Sequence, residues 1–268
     1  DGLVALVDAC RAHGLGLLVD HVPNHLAAHE ANHRWWDVLR RGRDSPHAPL
    51  FDVDWDAPGL DGRVLLPVLG APLDDVLAAG DLRLDLDDPR GPVLRYHDRA
   101  FPLADDPDPA RVSRADLVGR QRYLLADWRE GATRINYRRF FEVDGLVCLR
   151  QDDAAVFDAT HAAILRLVER GDVTGLRIDH VDGLADPAGY LERLRAAAPG
   201  LYVVVEKILA ADEELPAGWA TAGTTGYEMI DALGSVLGKI TASGKYRLSP
   251  AAQVAGDRKV DFLEMDFP

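Results

Sequence analysis

Apolar residues fall first at helical spacing and then in a short unbroken run, and this pair of patterns recurs along the chain. Leu3, Val4, Leu6, Val7 and Cys10 form a stripe one helix face wide. His13-Gly14 ends it, Gly14 suiting the left-handed position just past a helix C-terminus. Leu15-Gly16-Leu17-Leu18-Val19 then reads as a strand buried on both faces, stopping at Asp20-His21. The second unit is a helix from Ala154 to Arg170, with Val156, Phe157, Ile164, Leu165 and Val168 inward, stopped by Gly171. Its strand, Thr174 to Ile178, ends at Asp179. In the third, Pro187 opens a helix through Tyr190, Leu191 and Leu194, Gly200 closes it, and Leu201 to Val205 runs into Glu206. Helix followed by strand, repeated, predicts an α/β fold with a parallel sheet and helical crossovers.

In each unit the polar residues gather where the strand ends: Asp20, His21, Asn24 and His25; then Asp179, His180 and Asp182; then Glu206 and Lys207. Barrels and open α/β sheets carry their active sites at that edge, and charges at buried strand ends are costly unless solvated or paired. About 150 residues separate the first two strands, too many for a plain loop, so a subdomain is expected between them. It holds most of the aromatics, among them Trp35, Trp36, Phe51, Trp55, Tyr96, Phe101, Tyr123, Trp128, Tyr137, Phe140 and Phe141. Asp105 to Pro109, alternating acids and prolines, reads as a solvated loop. A first helix that starts with core-facing residues also leads to the expectation that the chain is part of something longer.

Composition narrows the chemistry. With 47% hydrophobic residues in 268, the chain can build a sizeable core. A formal net charge of −14 argues against a nucleic-acid partner, which such a surface would repel. The two cysteines, Cys10 and Cys148, suggest no disulfide framework. No apolar run reaches the roughly 20 residues a membrane span needs, and no secretory signal is visible, so the expectation is a cytoplasmic protein without a membrane partner.

The strand ends suggest carboxylate chemistry. Arg177 lies two residues before Asp179, so on a strand both side chains leave the same face. A guanidinium beside a carboxylate favours its ionised form, as a nucleophile needs. Glu206 follows three valines, a setting expected to bury it partly and keep a proton on it. One charged and one protonated carboxylate is the division of labour of retaining glycoside chemistry. The alternative for the same residues is a local Arg177–Asp179 ion pair, with Glu206 capping the next helix.

Three motifs, in order and each at a strand end, resemble the signature regions of the α-amylase superfamily (glycoside hydrolase family 13): Val19-Asp20-His21-Val22-Pro23-Asn24-His25, Gly175-Leu176-Arg177-Ile178-Asp179-His180-Val181-Asp182, and Val203-Val204-Val205-Glu206-Lys207. Within it, further strings resemble the maltooligosyltrehalose synthase family: residues 62–70, Arg134-Ile135-Asn136-Tyr137-Arg138-Arg139-Phe140-Phe141, Val156-Phe157-Asp158-Ala159-Thr160-His161, Glu206-Lys207-Ile208-Leu209, and residues 222–227. The resemblance runs from the first residue to about Glu228. It implies part of a (β/α)8 TIM barrel with a subdomain inserted after the third barrel strand. Residues 1–25 would supply the third strand and its preceding helix, 26–150 the inserted subdomain, and 151–228 the fourth and fifth strands; residues 229–268 stay unassigned. The implied activity is an isomerase of maltooligosaccharides, turning the reducing-end α-1,4 bond into an α,α-1,1 bond, without cofactor or metal. Carried over by position, Asp179 is the nucleophile and Glu206 the acid/base; Arg177 orients the nucleophile, and His25 bonds the reacting sugar. Asp20 and Asn24 hold the strand end and loop, while His180 and Lys207 complete the candidate substrate-binding set.

The chain departs from the superfamily in one respect. A third carboxylate is expected after a later strand, and Asp261, Glu264 and Asp266 stand in no recognisable context. This predicts an incomplete, inactive piece, with a plain α-glucan hydrolase or a non-catalytic glucan-binding remnant as the alternatives. His29-Glu30-Ala31-Asn32-His33 also matches the zinc-protease pattern, but Pro23 and the strand end at Asp20 break any helix through His21, His25, His29 and His33. Arg120-Gln121-Arg122 and Arg138-Arg139 are expected to be ion-paired surface or sugar-hydroxyl donors.

Overall fold

A computed structural model describes residues 2–105, 108–210 and 212–242. In chain order the helices and strands are α1 (Gly2–Ala12), β1 (Leu18–His21), β2 (His25–Ala27), α2 (His33–Arg41), β3 (Val64–Leu69), α3 (Leu73–Ala79), β4 (Leu82–Asp85), β5 (Val93–Tyr96), β6 (Arg99–Pro102), α4 (Arg114–Gly119), β7 (Tyr123–Asp127), α5 (Gly131–Arg134), β8 (Arg139–Phe140), β9 (Val143–Cys148), α6 (Ala154–Glu169), β10 (Gly175–Ile178), α7 (Pro187–Ala197), β11 (Tyr202–Val205), β12 (Gly223–Thr224) and α8 (Tyr227–Ala242).

The helix–strand units assemble as expected into a parallel sheet of order β1-β10-β11-β12. Asp153 caps α6 by accepting from the Ala155 amide, and Asp186 caps α7 from the Gly189 amide with Pro187 in the first turn. Period-two alternation then divides the strands. Leu176 and Ile178 of β10, with Val203 and Val205 of β11, turn to α6 and α7 and form one core with Phe157, Tyr190, Leu191 and Leu194. Each fully buried side chain of that set contributes roughly 1.5–3 kcal/mol. The opposite alternation leaves Arg177 and Val204 on the far face, with Asp179 and Glu206 two residues further on. β1 differs from the two-sided burial read from its sequence: the strand begins at Leu18, which is 48% exposed, because among the described residues β1 is the edge of this sheet and pairs only with β10. Of the α1 stripe, Val7 is buried, whereas Leu3, Val4 and Leu6 are exposed; so are Met229, Ile230, Leu233 and Val236 on α8.

Residues between β1 and α6 build a second core around Trp35, Phe51, Leu94, Tyr123 and Tyr137. Its frame is the parallel pair β3–β7, the antiparallel sheet β4-β5-β6 and the antiparallel sheet β2-β9-β8. Asn136 is buried there and fully bonded: Oδ1 accepts from the Leu65 amide, and Nδ2 donates to the carbonyls of Asp54 and Arg63. That staple fixes the path of the next residues, Tyr137 to Phe141, towards the parallel sheet. Most of the insert's aromatics are core, but Trp128 and Phe141 are exposed. Of the predicted Asp105–Pro109 loop, residues 106 and 107 lie outside the described residues, as do Asp261, Glu264 and Asp266. No helix among the described residues is long and apolar enough to cross a membrane.

Candidate functional site

The sheet register brings the charged strand ends together. Asp20 of β1 stands opposite Arg177 of β10, and Arg177 opposite Val204 of β11, so their side chains share the face away from the helices. Arg177 Nη1 donates to both carboxylate oxygens of Asp20, at 2.8 and 3.0 Å, and to Asp179 Oδ1 at 2.6 Å. Its Nη2 lies 3.8 Å from Glu206 Oε1. One guanidinium thus serves the carboxylates of three neighbouring strand ends. Although partial burial works against its charge, its hydrogen bonds to Asp20 and Asp179 hold the Arg177 pKa above the ordinary value, so it is a permanent cation. The backbone holds the same geometry: the Asp179 amide donates to the His21 carbonyl and the Glu206 amide to the Ile178 carbonyl.

Glu206 is partly buried, as expected, its side chain 21% exposed, but Val203 and Val205 do not supply that burial. Val203 and Val205 turn into the helix-side core, and the Glu206 carboxylate, on the other face, accepts from the His180 amide at 3.1 Å. His180 makes that bond from a left-handed conformation (φ 47°, ψ 45°), which costs a non-glycine residue roughly 1–2 kcal/mol. Its ring packs on Phe140 (4.7 Å between centroids) and Phe141 (5.2 Å), and Phe140 meets His25 at 4.5 Å. Phe141 is 71% exposed and itself left-handed (φ 49°), at the tip of the β8–β9 hairpin beside the site. Gly183 fits because it lacks a side chain: a Cβ there would stand 2.2 Å from His180 Cδ2 and Nε2. Gly183→Ala is expected to push the His180 ring off Phe140 and to cost about 1–3 kcal/mol, read by urea unfolding; an unchanged midpoint would refute the packing described.

His25, at the start of β2, opposes Cys148 of β9. Burial holds its pKa below the usual histidine value, Asp179 opposing and His180 adding to the shift. Asn24 is 1% exposed and accepts from Arg138 Nη1 at 2.9 Å. Lys207 is the predicted site residue least joined to the rest: its ammonium bonds Glu213 at 2.7 Å and lies 3.7 Å from Asp182.

Three features differ from, or were missed by, the sequence reading. Arg138 is ion-paired with Asp52, as expected, but it is also a hub, donating to Asn24, Gly183 and Leu149 as well; its neighbour Arg139 pairs with Asp144 at low exposure. Behind the sheet, fully buried His161 joins His21 and Tyr190 through Nε2, at 3.1 and 2.8 Å. The zinc-protease pattern dissolves: Asn32 caps α2, so His29 lies in the preceding turn and His33 opens the helix. Glu30 is committed to the Ala100 amide and Arg90. Among the described residues, no three or more His, Cys, Asp or Glu are placed to hold a metal ion.

No family model matches the chain. A Mycobacterium tuberculosis protein named a maltooligosyl trehalose synthase, recorded for strains CDC 1551 and H37Rv, is 43% identical over 268 residues, 99% of this chain and 32% of that protein. The solved maltooligosyltrehalose synthase of Arthrobacter ramosus is 39% identical, with a TM-score of 0.79 over 96% of this chain and 32% of its own. A Sulfolobus tokodaii structure described as a hypothetical maltooligosyl trehalose synthase is 35% identical, with a TM-score of 0.70 over 84% of this chain and 29% of that one. The chain therefore shares the mixed α/β fold of these proteins and spans about a third of the length of the curated relatives it matches.

Proposed function

We propose that this chain carries two of the catalytic carboxylates of a maltooligosyltrehalose synthase, and that Asp179 and Glu206 are those residues. The observation that carries the reading is the single guanidinium of Arg177, bonded to Asp179 and 3.8 Å from Glu206 at the C-terminal ends of adjacent parallel strands. In this reading β1, β10 and β11 are the third, fourth and fifth strands of a (β/α)8 barrel. Residues 1–25 and 151–228 belong to that barrel, and residues 26–150 form a subdomain inserted after its third strand.

The chemistry is a double displacement. The Asp179 carboxylate attacks C1 of the glucosyl residue next to the reducing end, while Glu206 protonates the departing O4. The α-1,4 bond breaks, leaving a β-linked glycosyl ester on Asp179 and a free glucose. Glu206, now a carboxylate, takes the proton from the C1 hydroxyl of that glucose. Its O1 attacks the anomeric C1 of the glycosyl ester, breaking the C1–O bond to Asp179, freeing the carboxylate and forming the α,α-1,1 bond. Arg177 aims Asp179 through its hydrogen bond to Oδ1. His25 bonds the reacting sugar, Asp20 and Asn24 hold the strand end and loop, and His180 and Lys207 border the bound glucan.

The direction of change in reducing ends tests this. Maltopentaose with the protein carrying this chain should lose reducing ends, and the Asp179→Asn variant should leave them unchanged. A rise would mean hydrolysis, and an equal loss in both would remove Asp179 from the reaction.

A further inference from the structure

Arg138 immediately precedes β8 and follows Tyr137, whose ring is buried against Trp35. Its guanidinium donates four hydrogen bonds: Nε to Asp52 Oδ2 at 2.7 Å, Nη1 to Asn24 Oδ1 and to the Gly183 carbonyl at 2.9 Å each, and Nη2 to the Leu149 carbonyl at 2.9 Å. Three of these partners border the site. Asn24 precedes His25, Gly183 closes the turn that starts at His180, and Leu149 follows Cys148, the cross-strand partner of His25.

A guanidinium has only donors, so every polar atom facing it must be an acceptor. This decides which way the Asn24 amide points. Its oxygen faces Arg138, so its NH2 faces Cys148 Sγ at 3.5 Å and His25 Nδ1 at 3.4 Å. Asn24 is 1% exposed, leaving no room for water to correct a mismatch. A donor aimed at Nδ1, even at this long distance, needs a lone pair there, because two opposed N–H groups would repel. In a neutral imidazole the proton then resides on the other nitrogen. Burial keeps the ring neutral near pH 7, as its lowered pKa requires.

We propose that Arg138 is a positioning residue that, through the orientation of Asn24, holds His25 as its Nε2–H tautomer and so sets the ring to donate a hydrogen bond to a sugar oxygen. Only the identity of the ligand rests on the function proposed above; the relay itself rests on the contacts of this chain. The same guanidinium ties the His180 turn to the β2 entrance, so Arg138 couples the two histidines that flank Phe140.

Imidazole nitrogen shifts report tautomers directly. Long-range proton–nitrogen correlation spectra of this chain, with His25 identified through His25→Gln, should show at pH 7.5 a lone-pair-type Nδ1 and a protonated Nε2. Arg138→Lys keeps one donor for Asn24 and should preserve that pattern, whereas folded Arg138→Ala should average the two nitrogens. Asn24→Asp should reverse the pattern, since a carboxylate accepts from Nδ1–H, and it decides the matter if Arg138→Ala does not fold. A wild-type tautomer in folded Arg138→Ala, or in Asn24→Asp, would overturn the relay. Maltopentaose affinity should fall about tenfold in Arg138→Ala, the worth of one hydrogen bond, and recover in Arg138→Lys. A wild-type chain that binds no maltopentaose would count against the proposed function, while the nitrogen shifts would still decide the relay.

Discussion

Asp179→Asn in the protein carrying this chain is expected to lower turnover of maltooligosaccharides by about 10^4-fold or more, the scale on which removal of a catalytic nucleophile acts. The asparagine keeps the size of the side chain and can still contact Arg177, which now bonds Asp179 Oδ1 at 2.6 Å, so the fold should survive. What disappears, in the proposed mechanism, is the anion that forms the glycosyl ester. Glu206→Gln should behave differently, and the difference separates the two roles. With maltopentaose the loss should be about 10²- to 10⁴-fold, the usual worth of a general acid and base. With an α-glucosyl fluoride the first step should survive in Glu206→Gln, because fluoride leaves without being protonated. It should remain abolished in Asp179→Asn. Equal losses on both donors in both variants would mean that the carboxylates act as a structural pair around Arg177 and not as nucleophile and acid.

The parts of this site that could be read from sequence are those encoded within a few residues. Arg177 and Asp179 lie two apart on one strand, and period-two alternation alone puts them on one face. Helix–strand units ending at Asp20, Asp179 and Glu206 imply a parallel sheet, and a parallel sheet implies that these ends meet. Glu206 is partly buried as its sequence setting suggests, but which residues surround it could not be read that way. Its three preceding valines look like burial, but alternate residues of a strand face opposite sides, and Val203 and Val205 take the core side without it. Arg138 was illegible for another reason: its partners lie 114 residues away at Asn24 and 86 away at Asp52, and no local pattern names them. A short motif misled at His29 to His33 because two histidines one turn apart matter only on a helix, and Asn32 starts the helix between them. The trio of half-buried His21 with buried His161 and Tyr190 likewise needs the packing of α6 and α7 on β1 before it exists.

That trio should make the chain lose stability as pH falls from 7 towards 5, before most carboxylates titrate. His161 is fully buried and stacked on Phe157 at 4.0 Å. Its Nδ1–H donates to the Phe157 carbonyl at 2.9 Å, so Nε2 is the acceptor that receives the Tyr190 hydroxyl at 2.8 Å and the His21 N–H at 3.1 Å. Tyr190 stays protonated throughout, its pKa pushed far up by burial. A proton on His161 Nε2 would face two donors in a dry core. Burial first, then His21, push its pKa down to about 3; the Phe157 carbonyl opposes them, and Arg193 adds a smaller push downward. His21 is also lowered by burial, with Asp20 opposing. Because the folded pKa lies below the unfolded one, the full stabilisation is present above about pH 6.5. As pH falls the unfolded chain takes up a proton that the folded chain refuses, and stability drops by about 1.4 kcal/mol per pH unit from His161, or about 2 kcal/mol by pH 5. Urea unfolding at pH 7 and pH 5 measures this. His161→Gln, which can still accept from Tyr190, should be less stable at pH 7 yet lose about 2 kcal/mol less on acidification. If both proteins lose the same amount, the acid sensitivity lies elsewhere and the buried histidine is not its source.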